Sequence, residues 1–215
     1  MSRTRVKICG FTQADDVAAA VTAGVDAVGF ITGVPVDTPR EISTQTARDL
    51  ITDVPPFVTS VVVTMPDTPD EAVDLVTTTA ADAVQVHGTL TPAEIDTVRD
   101  GVDSPVIAAV DIEDTRIGAY ADTADAVLVD STGEDGGGGT GRTHDWTRSR
   151  TLRESVDVPL ILAGGLTPQN VSDAVGTVDP FGVDTASGVE ERGGEKDHDA
   201  VAQFTARAQQ AVREA

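Results

Sequence analysis

The stretch "VKICGFTQADDVAAAVTAGVDAVGFI", residues 6–31, contains a strand, a helix and a second strand in direct succession. Its apolar ends, 6–9 and 27–31, lack the polar alternation of a half-exposed strand, which favours parallel strands covered on both faces. The segment between them predicts a helix, with Thr12 as its N-cap, acidic residues in its first turn and Gly24 at its end. A strand, helix and strand in this order form a βαβ unit with parallel pairing.

The same alternation continues along the chain. Further strands are predicted at 59–63, 83–86, 106–110, 126–130, 160–163 and 181–186. Helices are predicted at 12–24, 43–51, 68–79, 91–100, 115–120, 169–175 and 197–212, with a sixth helix starting near Trp146 and Thr-Pro pairs at 68, 91 and 167 as helix starts. Eight such units predict an α/β fold, a single (β/α)8 TIM barrel with eight parallel strands spanning residues 1–215. The alternative is an open doubly wound sheet, but no G-x-G-x-x-G follows the first strand.

The charge balance is strongly acidic. Asp and Glu number 36 against 15 Lys and Arg, giving a net charge of −21, and Lys7 and Lys196 are the only lysines. The acidic residues are spread evenly between the apolar runs, which favours a surface adapted to high salt over an acidic disordered tail. Such a surface would repel nucleic acid and anionic membranes. With no signal peptide and no run of roughly 18 apolar residues, we expect a cytoplasmic protein whose anionic ligands need a locally positive site.

In a barrel of this kind, function lies at the carboxyl ends of the strands. The residues predicted there are Cys9, His87, Asp111, Asp130, Gly164, Gly165, Ser187 and Gly188. The loops "LAGGLTPQNV" (162–171) and "DTASGVE" (184–190, which begins with Asp184) follow the seventh and eighth strands. Glycine-rich loops at these two places favour a phosphate site built from backbone N–H groups, although the glycines could instead only form tight turns.

Several side chains have a structural and a functional interpretation. A lone buried cysteine is usually an inert apolar residue, but Lys7 would lie on the same strand face as Cys9 and favour its thiolate, unless it pairs with another charge. Asp130 could cap the next element or act as a general acid. His87 could be structural or bind ligand, and Arg40 could be surface charge or hold a substrate carboxylate. One cysteine also excludes an internal disulfide and a thiolate metal cluster.

Six motifs occur in a fixed order: "KICGFT", "AVQVHG", "LVDS", "GGTGRTHDW", "LAGGLTPQNV" and "GVDTASGVE". Together they resemble the phosphoribosylanthranilate isomerase family of tryptophan biosynthesis, from residue 6 to about 205, and the composition resembles a haloarchaeal version. The resemblance implies a (β/α)8 barrel that uses no cofactor and no metal. It also implies an Amadori rearrangement of N-(5-phosphoribosyl)anthranilate to 1-(2-carboxyphenylamino)-1-deoxyribulose 5-phosphate.

The resemblance further implies roles for individual residues. Cys9 matches the general base of the family, Asp130 its general acid, and Arg40 the arginine that contacts the anthranilate carboxylate. The remaining predicted substrate-binding residues are Gly164, Gly165, Ser187 and Gly188 at the phosphate, Gly139 and Thr140 in "GGTG" (138–141), and His87 and Asp184 within the matching motifs. The glycine-rich stretch 131–146 is either a flexible loop or an active-site lid.

Three other functions compete with this interpretation. Indole-3-glycerol-phosphate synthase would need catalytic lysines at strand ends, and only Lys7 and Lys196 exist. Ribulose-phosphate epimerase would need metal-binding histidines on several strands, but only His87 is predicted at a strand end, because His144 and His198 lie in polar surroundings. A catalytically silent barrel that binds a phosphorylated metabolite as a sensor is the non-enzyme alternative. The sequence does not indicate the oligomeric state.

Overall fold

The computed structural model describes residues 3–130 and 146–211. Eight parallel strands pair in sequence order, and the first pairs with the eighth, so the sheet closes into a barrel. The strands are β1 (Arg5–Cys9), β2 (Ala27–Ile31), β3 (Thr59–Thr64), β4 (Ala83–His87), β5 (Val106–Asp111), β6 (Ala126–Asp130), β7 (Leu160–Ala163) and β8 (Gly182–Thr185). The predicted (β/α)8 barrel is confirmed.

A helix follows each strand. The helices are α1 (Ala14–Ala23), α2 (Thr44–Thr52), α3 (Pro69–Thr79), α4 (Pro92–Gly101), α5 (Ile117–Thr123), α6 (Trp146–Ser155), α7 (Val171–Val178) and α8 (His198–Gln210). Between β8 and α8 lie a 3₁₀ turn (Ser187–Val189) and a two-stranded hairpin of β9 (Glu190–Arg192) and β10 (Glu195–Lys196). This hairpin, which we call the mouth hairpin, was not predicted from the sequence. Within the described ranges, no helix is both long and apolar enough to cross a bilayer.

The predicted starts of α3 and α4 are confirmed. Thr68 and Thr91 accept hydrogen bonds from the backbone N–H groups of Glu71 and Glu94, and a proline occupies the first turn of each helix. The prediction that Thr12 caps α1 is wrong, because the N-cap is Gln13. The Thr12 hydroxyl instead donates to the carbonyl of Gly194 at 2.6 Å, and therefore ties the chain after β1 to the mouth hairpin.

The predicted start of α7 is also wrong. Thr167 precedes a turn, and the helix begins at Val171 after Asn170 at the N-cap position. Asn170 organises this turn, because its side chain accepts from Thr167 N at 2.8 Å and donates to Gly165 O at 3.0 Å. The effect is to fix the loop that follows β7 rather than to extend the helix.

The apolar core has two parts. The larger part lies between the sheet and the helices and contains the fully buried Phe11, Phe30 and Phe204. The smaller part fills the barrel interior with side chains that point inward from the strands: Cys9, Val61, Val63, Ala83, Ile107, Ala109, Leu128, Ile161 and Ala163. These inner side chains close the middle of the barrel, and polar groups collect above them at the carboxyl ends of the strands.

Candidate active site

A pocket of about 440 Å³ opens at the carboxyl ends of the strands. This volume is in the range of small-molecule sites. Eight predicted site residues line the pocket: Cys9, Arg40, His87, Asp130, Gly164, Gly165, Asp184 and Ser187. Gly188 packs against the loop that forms the pocket wall. The predicted residues Gly139 and Thr140, the lid and His144 lie outside the described residues.

Cys9 ends β1 and is only 5% exposed. Gly29, its neighbour on β2, makes room for it: a Cβ there would lie 2.9 Å from Cys9 Sγ and 3.2 Å from Lys7 Nζ. Lys7 therefore points into the barrel beside Cys9, as predicted. Burial raises the pKa of the Cys9 thiol above its usual value, and the positive charge of Lys7 lowers it by less. Lys7 therefore favours the thiolate, as expected, but burial has the larger effect on the pKa of Cys9.

Lys7 is also paired with a carboxylate, as the alternative interpretation allowed. Its Nζ lies 3.0 Å from Oδ1 of Asp184 on β8, and both side chains are buried. Burial lowers the pKa of Lys7, but Asp184 and Cys9 outweigh this effect and raise it. Burial raises the pKa of Asp184, the Lys7 ammonium opposes that, and the charge of Asp130 raises it further. Cys9, Lys7 and Asp184 thus influence one another's pKa values at the pocket floor, and the charge of Asp130 acts on Asp184.

Two loops meet on the pocket wall after β7 and β8. Gly164 and Gly165 both have positive φ angles, 88° and 61°, which glycine adopts without strain. Thr185 at the end of β8 donates from its hydroxyl to Leu166 O at 2.7 Å. Gly188, in the 3₁₀ turn, approaches the same carbonyl so closely that a Cβ would lie 1.9 Å from it. The two predicted phosphate loops are therefore fixed against each other at one edge of the pocket.

Arg40 reaches the pocket from the segment after β2 and is held by a carboxylate. Its Nε and Nη2 donate to the two oxygens of Glu190, at 2.9 and 2.6 Å. These bonds are the main reason that the pKa of Arg40 is raised. Lys196 completes the group, because its Nζ donates to Glu190 Oε1 at 2.7 Å and to Cys9 O at 2.6 Å. Arg40 therefore lines the pocket as part of an ion pair with Glu190, and it is not a free surface charge.

A family model for N-(5'-phosphoribosyl)anthranilate (PRA) isomerase matches residues 6–207. This chain belongs to that family. It is 57% identical to the N-(5'-phosphoribosyl)anthranilate isomerase of Haloarcula marismortui over 208 residues, 97% of each chain. It is 60% identical to the Halobacterium salinarum enzyme, with 95% of each chain covered. The predicted resemblance to a haloarchaeal isomerase of this family is confirmed, and these relatives support the high-salt interpretation of the acidic surface.

Solved structures agree with this assignment. The phosphoribosyl anthranilate isomerase of Thermotoga maritima superimposes with a TM-score of 0.86 at 35% identity, covering 95% of this chain and 98% of that one. Another structure of the family, at a TM-score of 0.82 and 34% identity with the same coverage, is a complex with reduced 1-(o-carboxyphenylamino)-1-deoxyribulose 5-phosphate. The chain is thus an isomerase of tryptophan biosynthesis built on a TIM barrel.

Three polar residues in or beside the isomerase pocket were not predicted from the sequence. Glu190 holds Arg40, and Lys196 in turn pairs with Glu190. The signal for Lys196 in the sequence was the scarcity of lysine, since both lysines of the chain are buried. Gln85 on β4 lines the pocket and is 3% exposed, and within the described residues its Oε1 has no hydrogen-bond partner. Nothing in the alternation of β4 distinguishes this glutamine from a core residue. His198, by contrast, is half exposed and bonds to Asp16 rather than to the site.

Proposed function

We propose that the isomerase converts N-(5-phosphoribosyl)anthranilate to 1-(2-carboxyphenylamino)-1-deoxyribulose 5-phosphate with Cys9 as general base and Asp130 as general acid. The observation that carries this proposal is that both side chains line one pocket. Cys9 ends β1 and Asp130 ends β6, which β7 and β8 separate around the barrel. An acid and a base so placed would approach a bound sugar from different sides, as the rearrangement requires.

The chemistry moves one proton onto the sugar and one away from it. Asp130, when protonated, donates to the ring oxygen, the C1′–O bond breaks, and the nitrogen lone pair forms an iminium. The iminium makes the hydrogen at C2′ acidic, and Cys9 as thiolate removes it. The electron pair left at C2′ neutralises the iminium to give an enolamine, which tautomerises to the ketone. Each of these proton transfers contributes about 10²–10⁴-fold to the rate.

The raised pKa of Cys9 fits a base that acts only on a cationic intermediate. Burial favours the neutral thiol, and Lys7 offsets burial only in part. An iminium forming next to the sulfur would add a further positive charge to those of Lys7 and Lys196. An opposite charge within a few ångströms favours the thiolate. A thiolate formed at the cost of desolvation is also a stronger base than an exposed one.

The rest of the pocket matches the two anionic ends of this substrate. The guanidinium of Arg40 would bind the anthranilate carboxylate, and the loops at Gly164–Gly165 and Ser187–Gly188 would hold the phosphate. Backbone donors suit a chain with two lysines, both of them buried. His87 lines the same pocket. Asp184 raises the pKa of Lys7 and so stabilises its ammonium form. Gly139 and Thr140 are proposed to bind substrate on the family resemblance alone. A phosphorylated substrate and a charge of −21 favour a cytoplasmic enzyme without a nucleic-acid partner.

The test is turnover, measured as loss of anthranilate-type substrate fluorescence in molar salt. Cys9→Ala and Asp130→Asn should each lower kcat by about 10²–10⁴-fold, while each variant still folds and unfolds in one cooperative transition. Asp111→Asn is the matched control, because Asp111 stands opposite Asp130 in the strand register and its carboxylate accepts from Glu113 N at 2.7 Å. The control should keep near-full activity. Near-full activity in Cys9→Ala or in Asp130→Asn would instead remove that residue from its role. A wild-type protein that binds the reduced product without turnover would instead be a sensor.

A further inference from the structure

The chain has two lysines, and both are buried. Lys7 is paired with buried Asp184, and Lys196 with buried Glu190, so each ammonium cancels a carboxylate next to the pocket. Arg40 shares Glu190 with Lys196. The group formed by Arg40, Glu190 and Lys196 therefore has two cations and one carboxylate. Its net charge is +1, inside a protein whose total charge is −21.

The three side chains form a continuous path from the pocket to the backbone of Cys9. Glu190 is 4% exposed and bridges the 24% exposed Arg40 and the fully buried Lys196. Lys196 Nζ then donates to Cys9 O at 2.6 Å. Charge-assisted bonds of this kind, and bidentate ones in particular, fix geometry as well as contributing energy. Within the described residues, Nη1 of Arg40 has no hydrogen bond, so one edge of the guanidinium is held and the other is available.

Two glycines pack closely against Arg40 and the residue before it. A Cβ at Gly10 would lie 2.8 Å from Arg40 Cδ, so the arginine stem lies flat on the chain just after Cys9. The mouth hairpin closes over the preceding residue, because a Cβ at Gly194 would lie 2.5 Å from Pro39 O. Thr12 ties the same glycine to the start of α1. The hairpin therefore contacts the Arg40 side chain through Glu190 and the backbone of the preceding residue, Pro39, through Gly194.

We propose that Glu190 and Lys196 are positioning residues for the recognition of the substrate carboxylate. Glu190 fixes one edge of the Arg40 guanidinium so that the other edge faces the carboxylate, and Lys196 cancels the charge of Glu190 so that Arg40 keeps its attraction for an anion. This inference rests on the proposed function, in which Arg40 binds the anthranilate carboxylate. It adds that the specificity for that carboxylate depends on two residues that do not touch it.

The test compares two ligands in molar salt. One is reduced 1-(o-carboxyphenylamino)-1-deoxyribulose 5-phosphate, and the other is the same compound without the ring carboxylate. The ratio of their Kd values, measured by calorimetry, is the carboxylate preference. Glu190→Gln puts an amide N–H₂ donor against the donors of Arg40 and Lys196, and we expect the preference to fall about 10-fold or more. Lys196→Met should lower it too, because Glu190 then neutralises Arg40.

Glu195→Gln is the matched control. It makes the same charge change on the same hairpin, but Glu195 pairs with Arg192 rather than Arg40. Its preference should stay within about twofold of the wild type, since surface charge is screened in molar salt. The affinity for the ligand without the carboxylate should change little in any variant, which shows that the pocket is still folded.

Three results would overturn the proposal. An unchanged or increased preference in Glu190→Gln would mean that Glu190 competes with the substrate for Arg40. An equal fall in Glu195→Gln would mean that only total charge matters. A wild-type protein without any carboxylate preference would remove Arg40 from recognition altogether. The isomerase function is tested separately by turnover, so a protein that turns over substrate without this preference refutes the inference and leaves the activity standing.

Discussion

Gly188→Ala should separate the two loops that we assign to the phosphate. The glycine has no left-handed φ, so its backbone accepts alanine, and only its contacts forbid a side chain. The added Cβ would lie 1.9 Å from Leu166 O and 2.7 Å from Thr185 Oγ1. These two atoms are themselves joined by a hydrogen bond of 2.7 Å. The methyl group therefore enters the contact that holds the loop after β7 against the turn after β8.

The size of the effect follows from these distances. Since Cβ atoms essentially never come closer than 3.0 Å to another heavy atom, the carbonyl and residue 188 must move apart by at least 1.1 Å. A displacement of about 1 Å in a positioning contact costs about 10²-fold in kcat/KM. Loss of the Thr185–Leu166 hydrogen bond adds a destabilisation of about 1 kcal/mol. We expect both effects, with the larger part of the kinetic loss in KM because the phosphate is a remote binding group.

The assay is substrate fluorescence for kcat and KM, together with inorganic phosphate as a competitive inhibitor. Gly188→Ala should raise the inhibition constant of phosphate along with KM. Gly118→Ala is the control, because Gly118 lies in α5 with nothing within 4 Å of its Cβ position. It should leave kinetics unchanged and stabilise the helix by up to about 1 kcal/mol. A Gly188→Ala enzyme with kcat/KM within about threefold of wild type and unchanged phosphate inhibition would refute the reasoning.

Two further predictions concern ionisation. Because the chain has one cysteine, alkylation by iodoacetamide at several pH values, followed by mass spectrometry, titrates Cys9 alone. The apparent pKa of Cys9 should exceed that of a free thiol. Lys7→Met should raise the pKa of Cys9 further, because it removes a positive charge that lowers it. A fall in that pKa would contradict the electrostatics. Burial raises the pKa of Asp16, but bonds from Lys196 N, His198 and Gln13 outweigh it, so the folded-state pKa is lowered. Its stabilisation is therefore present at neutral pH and is lost as the pH falls through the folded-state pKa. Asp16→Asn should cost about 1–3 kcal/mol at neutral pH and progressively less in acid, as urea unfolding at several pH values would show; a cost independent of pH would argue against this.

The barrel could be predicted from sequence because its signal is local and repeated. Each strand is a short apolar run, and the Thr-Pro starts at Thr68 and Thr91 carry their capping acceptors and donors within four residues. Thr12 and Thr167 have the same residue type but different outcomes. Gly194 O, 182 residues away, captures the hydroxyl of Thr12, and the side chain of Asn170 takes the backbone donor of Thr167. Local patterns fail where a distant or stronger partner competes.

The candidate site divides in the same way. Cys9 and Asp130 could be found because the fold alone places strand ends in one pocket. The partners of Arg40 could not, because Glu190 lies 150 residues further along the chain on a hairpin that no periodicity predicts. The pKa of Cys9 was also beyond reach, since it depends on how burial compares with the charges of Lys7 and Asp184. These quantities depend on packing, which the sequence pattern does not specify.

Both lysine ammonium groups near the pocket are buried, and this affects how the protein should respond to high salt. Exposed ion pairs weaken as salt shortens the range of their attraction, whereas buried pairs are screened much less. The Lys7–Asp184 and Lys196–Glu190 pairs are both buried, and the proposed phosphate contacts are neutral backbone donors. The acidic residues that determine the net charge are instead spread over the surface. Salt should therefore act mainly on the stability of the whole isomerase through its surface carboxylates, while the two buried ion pairs beside the pocket change much less.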